Sequence, residues 1–247
     1  MKKIALLICF IFIAVPASAQ KAMKVVYFDN YQPFSWFDEQ QGMRGILIDV
    51  LNEIIGKRMK ISLAHEGYPW ARAQKMVRHG KADAFVTVPT PERRSYTNVS
   101  SEPVTVVNVG LFTKKGNPKM EQMRNIRGIA DLKDFSLISY LGAGWAKKNF
   151  KGFEVEWADN LDVALKMLAK GRSDIFAQPA KVVLFNIKKQ GYQDQIVQVP
   201  DVTLDSIDFK LCVGKESPHG KILPEFDDAM KGIRTDGTLE AIYAKYK

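Results

Sequence analysis

Residues 24–88 read KVVYFDNYQPFSWFDEQQGMRGILIDVLNEIIGKRMKISLAHEGYPWARAQKMVRHGKADAFVTV, and the spacing of their apolar positions decides the fold. Lys24 to Phe28 is a short run of strand formers closed by the turn-rich Asp29-Asn30-Tyr31-Gln32-Pro33. After Gly42 and Gly45, the residues Ile46, Leu47, Val50, Leu51, Ile54 and Ile55 recur at the 3.6-residue period, which predicts a helix ended by Gly56. Ile61 to Ala64 predicts a second strand. Pro69 suits the first turn of a helix that runs through Trp70, Ala73 and Val77 to Gly80, and Ala84 to Val88 is a third strand. Strands alternating with helices form parallel βαβ units, whose ligands sit at the carboxyl ends of the strands.

Further along, Val104 to Thr113 is a longer β-rich run followed by a loop from Lys114 to Pro118. A second alternating set follows, with strands at Ser136 to Ser139, Phe153 to Trp157, Ile175 to Ala177 and Ile196 to Val199. Between them fall helices at Trp145 to Phe150, Leu161 to Lys170 and Lys181 to Gln190; Asp159 or Asn160 caps the second and Gly171 closes it. Asp208 to Val213 is another β run, and two helices with apolar faces through Ile222, Phe226, Met230 and Ile233, then Leu239, Ile242, Tyr243 and Tyr246, complete the chain. Two βαβ sets joined by two β-rich crossings predict an α/β protein of two lobes with a cleft between them.

Upstream of this, Lys2 and Lys3 precede the apolar run Ile4 to Val15, and Pro16-Ala17-Ser18-Ala19 supplies an Ala-x-Ala cleavage site, which together predict a secretory signal peptide cut near Ala19. The run is too short to span a bilayer, and Cys9 within it is not placed for lipid attachment. Cleavage leaves 228 residues and lowers the formal charge from +9 to +7 as the two lysines depart. The remaining Lys and Arg are scattered among acids and form no nucleic-acid motif. Only Cys212 survives processing, in the apolar run Leu211-Cys212-Val213, where it reads as a small buried hydrophobe. His65, His79 and His219 are far apart in sequence, so neither a metal site nor a cofactor is expected.

The motifs in order resemble those of a known family. Tyr31-Gln32-Pro33-Phe34, Gly45-Ile46-Leu47-Ile48-Asp49-Val50, Gly80-Lys81-Ala82-Asp83-Ala84, Thr90-Pro91-Glu92-Arg93, Gly171-Arg172-Ser173-Asp174 and Asp236-Gly237-Thr238-Leu239 are similar to segments of the type II periplasmic solute-binding proteins of family three, the group that includes polar amino-acid receptors of ABC transporters. The resemblance covers the whole mature chain. It implies a first lobe from residues 20–113 plus 205–247, a second from 114–204, and hinge-like closure around one solute.

It also implies a set of site residues. The family's Thr-x-x-Arg pattern falls on Thr90 and Arg93, and its Arg grips the ligand carboxylate; a planar guanidinium offers two parallel donors for that purpose. Tyr31 and Trp70 match aromatic positions that pack on the ligand's body. Gly142-Ala143-Gly144 lies between a strand and a short helix, where free backbone N–H groups form an anion-binding corner, and Arg72 lies one turn into the helix at Pro69 as a further donor. The chain departs from the pattern at Val88, at Ala143 where Thr is usual, and at Pro179, which stands where the family's ammonium-binding Asp belongs. Gln178 beside it accepts a hydrogen bond without neutralising a charge, so the expected ligand bears a carboxylate and either lacks an α-ammonium or is held in another pose, unless Glu66 or Asp29 of the first lobe supplies the acid. The expectation is a monomeric periplasmic protein that binds a small, polar, carboxylate-bearing solute for an inner-membrane permease or sensor. A dehydratase-like enzyme on the same fold and a ligand-less interaction module are the alternatives.

Overall fold

The structure, a computed structural model, describes residues 21–246. The signal peptide expected at residues 1–19, with Cys9, lies outside the described residues. The elements in chain order are β1 (Met23–Phe28), three short strands β2 (Asn30–Tyr31), β3 (Ser35–Asp38) and β4 (Gly42–Arg44), α1 (Ile46–Leu51), β5 (Leu63–Tyr68), α2 (Trp70–Arg78), β6 (Ala84–Thr87), α3 (Pro91–Tyr96) and β7 (Thr97–Lys114). They continue as α4 (Met120–Arg124), β8 (Leu137–Tyr140), α5 (Gly144–Asn149), β9 (Val155–Ala158), α6 (Leu161–Ala169), β10 (Ile175–Pro179), α7 (Ala180–Gln190), β11 (Ile196–Gly214), α8 (Leu223–Thr235) and α9 (Thr238–Ala244).

Eight strands share one sheet in the order β5-β1-β6-β11-β7-β10-β8-β9. The outer strands pair in parallel, β1 with β5 and β6 on one side and β8 with β9 and β10 on the other. Between them β7 and β11 run antiparallel from Thr97 opposite Gly214 to Lys114 opposite Ile196. The expected pair of β crossings is therefore present, as two strands bonded to each other along their length.

Side chains alternate across the sheet at the period of two. In β1, Val25 and Tyr27 enter a core with Leu51, Ile54, Leu211, Phe226 and Met230, while Val26 faces a second core with Ala73, Val77, Phe85 and Cys212. In β10, Ile175 and Ala177 pack with Leu111 and Met123, and Phe176 packs on the other face with Leu165, Leu168 and Ile187. Each fully buried aliphatic side chain contributes about 1.5–3 kcal/mol, against about 0–1 kcal/mol for an exposed ion pair such as Lys57–Glu53. These four cores hold the fold; the two-lobed α/β architecture is the expected one. Cys212 is buried, which pushes its thiol up to about 12.

Some boundaries differ from the sequence reading. The first helix does not stop at Gly56 but runs on through wider turns over Asn52–Arg58, where Met59 N donates to Ile54 O at 2.9 Å. The second strand begins at Leu63, and β7 starts at Thr97, ahead of the expected Val104. The runs at Ile196 and Asp208 are parts of one strand, bent by register shifts between Gln198 and Thr203, beside Asp201 at a φ of 59°.

The entry to α1 fixes the loop that carries Tyr31. Ile46 N donates to Pro33 O at 2.9 Å and Leu47 N to Phe34 O at 3.0 Å, so backbone carbonyls satisfy the first amides of the helix in place of a side-chain cap. Gly45 makes this approach possible. Its φ is 128°, and a Cβ there would collide with the Phe34 carbonyl. Gly45→Ala is expected to lower unfolding free energy by roughly 2–3 kcal/mol, read as a fall in the urea midpoint at unchanged slope.

Candidate functional site

The carboxyl ends of the parallel strands in both halves of the sheet open onto one cavity of about 570 Å³. Tyr27 and Phe28 end β1, Thr87 ends β6 and Trp70 follows β5; from the other half, Tyr140 ends β8, Asn160 follows β9 and Val182 follows β10. This is the placement that parallel strands dictate, because their loops and helix starts converge on one edge.

Six aromatic residues contribute to the wall. Tyr31 stacks with Phe34 at 5.2 Å, Phe209 at 6.3 Å and Phe28 at 6.4 Å between ring centres. Its hydroxyl is pushed well up, first by burial and then by Tyr140 from the facing half, and burial also raises Tyr140. Both phenols are therefore protonated donors at neutral pH. Trp70 lies edge-on to Phe85 at 5.5 Å. Tyr27 is braced from behind: its hydroxyl meets His65 Nδ1 at 2.8 Å, and His65 Nε2 meets Asn52 Oδ1 at 2.9 Å. Asn52 accepts, so Nε2 carries the proton and Nδ1 accepts from Tyr27. Burial lowers the His65 pKa.

Three of the expected site residues line this cavity: Tyr31, Trp70 and Gly142. The others stand back from it, each for a local reason. Thr90 caps α3, accepting from Arg93 N at 3.4 Å, so its hydroxyl serves the helix. Arg93, on α3 and not on a loop, spends Nε on Gln74 Oε1 at 3.0 Å and Nη1 on Val88 O at 2.8 Å. Its guanidinium stacks 5.3 Å from the centre of the Trp70 ring, and burial lowers its pKa. Arg72 is exposed and stacks over Tyr68 at 4.5 Å. Ala143 is buried in the core with Leu111, and its N–H is spent on Tyr140 O at 3.1 Å, which removes one donor from the expected anion corner. Gly144 opens α5 on the surface. Gln178 is only 3 % exposed and donates to Ser139 Oγ at 3.0 Å inside the second half, turned away from the cavity. Pro179 ends β10 and caps α7. Glu66 is engaged by Lys24 at 3.1 Å and by Tyr68 Oη at 2.7 Å.

Sequence reasoning missed Thr87, Tyr140, Asn186 and Phe209. Thr87 and Tyr140 had a signal, since each is the last residue of a parallel strand. Asn186 had another: it interrupts the buried stripe of Val182, Val183 and Ile187 on α7.

The family model of the bacterial extracellular solute-binding proteins, family 3, matches residues 23–247. The chain belongs to that family. Among family 3 relatives, "Probable amino-acid-binding protein YxeM" of Bacillus subtilis is 24 % identical over 225 residues, covering 87 % of this chain and 79 % of its own. The lysine/arginine/ornithine-binding periplasmic protein of Escherichia coli is 23 % identical over 222 residues, 88 % of this chain and 84 % of its own. Among solved structures, substrate-binding domain 2 of Lactococcus lactis GlnP in its open conformation superposes with a TM-score of 0.70 at 18 % identity, over 92 % of this chain and 96 % of that domain. The fold is thus that of the type II periplasmic binding proteins.

Burial of His65 gives the stability of the fold a pH dependence. With a folded-state pKa below the unfolded value, His65 takes up its proton more readily after unfolding, so its contribution is complete above about pH 6.5 and lost as pH falls. Urea midpoints are expected to drop between pH 7.5 and 5, and to drop less in His65→Gln.

Proposed function

We propose that this chain binds a small, polar, carboxylate-bearing solute, an amino acid or a related acid, and presents it to an inner-membrane partner, either an ABC permease or the sensor region of a signalling protein. The observation that carries the proposal is the cavity at the strand ends, with walls from both halves of the sheet and with Tyr31, Trp70 and Gly142 together in it. Its size falls in the range of small-molecule sites. The names of YxeM, "Probable amino-acid-binding protein", and of the Escherichia coli lysine/arginine/ornithine-binding protein support the amino-acid class. Arg93 supports the carboxylate: its Nη2 is not spent on Gln74 or Val88, and it stands against a cavity-lining ring.

The division into lobes 20–113 with 205–247 and 114–204 is part of the proposal. The cores support it in the main, since Val25, Leu51 and Phe226 pack in one and Met123, Leu137 and Ile175 in another. Some buried residues cross the division: Val182 of α7 joins the first-lobe core, and Leu111 and Phe112 at the end of the 20–113 segment pack into second-lobe cores. The leader-like residues 1–19 support export to the periplasm with cleavage near Ala19, and we take the mature protein as a monomer. Binding is favoured over catalysis because the relatives are named as binding proteins.

The test uses the mature chain from Gln20, unfolded and refolded to strip bound solutes, in a thermal-shift screen of amino acids, keto acids, dicarboxylates, small peptides and sugars. A true ligand at a hundred times its Kd stabilises by about 2.7 kcal/mol. An acid is expected to give the shift, Trp70→Ala to weaken its binding at least about tenfold, and Arg93→Ala to abolish the preference for the acid over its amide. No shift with any member of the panel overturns the proposal.

A further inference from the structure

Two polar side chains that neither the family pattern nor the cavity's aromatic wall accounts for reach the cleft from opposite sides. Thr87, from β6, and Asn186, from α7, are each only 7 % exposed, and both line the cavity. Asn186 Nδ2 is spent on Val182 O at 2.8 Å, which orients the carboxamide and leaves Oδ1 as the free acceptor. Among the described residues neither Asn186 Oδ1 nor the Thr87 hydroxyl has a protein partner, and neither is sealed from the cavity as an orphaned buried atom. Oδ1 opens onto the cavity with its lone pairs unspent, so it is set to receive an N–H or O–H from whatever fills the cleft.

The rest of the wall limits what that occupant can be. Six rings line it: Tyr27, Phe28, Tyr31, Trp70, Tyr140 and Phe209. The charged residues that line it among those described are Asp162 and Lys189, both exposed, and Asp162 already accepts from Gln190 Nε2 at 2.7 Å. A charged group on the body of a ligand would lose water here and meet no buried counter-ion. A cation has a second obstacle. The Arg93 guanidinium already occupies a face of Trp70, so a ligand cation drawn to that ring meets like charge across it.

We propose that the cleft selects an acid whose body is aromatic or bulky and apolar and carries no second charge, and that Asn186 reads an uncharged N–H or O–H donor on it. This deepens the binding reading above and rests on it. The same aromatic wall that excludes a charged body gives the preferred one its contact area, and Asn186, fixed by its own helix, supplies direction.

The experiment is calorimetric titration of the refolded mature chain with 3-phenyllactate, 3-phenylpropionate, L-arginine and L-glutamate. 3-Phenyllactate is expected to bind most tightly, about tenfold better than 3-phenylpropionate, which has the same body without the hydroxyl donor. Asn186→Ala, checked for folding by its far-ultraviolet dichroism and melting temperature, is expected to bring that ratio close to one. The ratio in the unmodified protein stands by itself should the variant not fold. Tighter binding of L-arginine or L-glutamate than of either aromatic acid, if weakened by Trp70→Ala, overturns this inference and leaves the cleft as the binding site. A ratio near one in the unmodified protein, or one that survives Asn186→Ala, overturns the role of Asn186. No heat with any of the four overturns this inference and counts against the binding reading with it.

Discussion

The antiparallel pairing of Thr97–Lys114 with Ile196–Gly214 is the constraint on which the molecule depends. Both strands start on one side of the sheet and finish on the other, so the parallel sets at either edge are joined only through them and through packing. Because β6 bonds to β11 and β10 bonds to β7, the two parallel sets point their carboxyl ends at the same space from opposite sides. The cavity is a consequence of that arrangement and not of any one loop. Register shifts along β11 put bends into the pair.

Much of this was legible in the residues. Ile46 to Ile55 and Leu161 to Lys170 keep a clean helical period, and Asn160 caps the second as its side chain suggests, accepting from Val163 N at 3.0 Å. What escaped reading did so for physical reasons. Strands of two to four residues at Asn30–Tyr31, Ser35–Asp38 and Gly42–Arg44 are too short to show alternation. Pro91–Tyr96 buries no side chain, so it has no apolar stripe to read, although Thr90-Pro91 is a sound helix start. Pro103 hides the first part of β7, and Pro200 with Asp201 splits β11 on paper; the sheet keeps both strands by shifting register nearby.

For the site the division is sharper. Tyr31 and Trp70 were readable because they match the family's aromatic positions, whereas Tyr140, at the end of β8, has no such motif around it. Arg93 shows the opposite case. Its motif gives its place in the chain, but whether a guanidinium faces a solute or braces a ring depends on Gln74 and the Val88 carbonyl, neither of which lies in the motif. Gln178 is buried in the second half of the sheet because its place on β10 gives it Ser139 as a neighbour, a pairing made across 39 positions of sequence. Such facts belong to tertiary structure, and local patterns do not encode them.

Helix α7 belongs to the second half by connectivity, yet Phe185 rests 5.9 Å from Trp36, and Trp36 meets Tyr246 edge-on at 6.1 Å. Trp36 sits on the small outer sheet, half-exposed and away from the cavity. An indole at such a seam is an intrinsic optical reporter: its emission colour follows how much water reaches it, and that depends on whether Phe185 stays in place. With Trp70, Trp145 and Trp157 replaced, Trp36 alone would gauge the distance between the two halves without an attached dye.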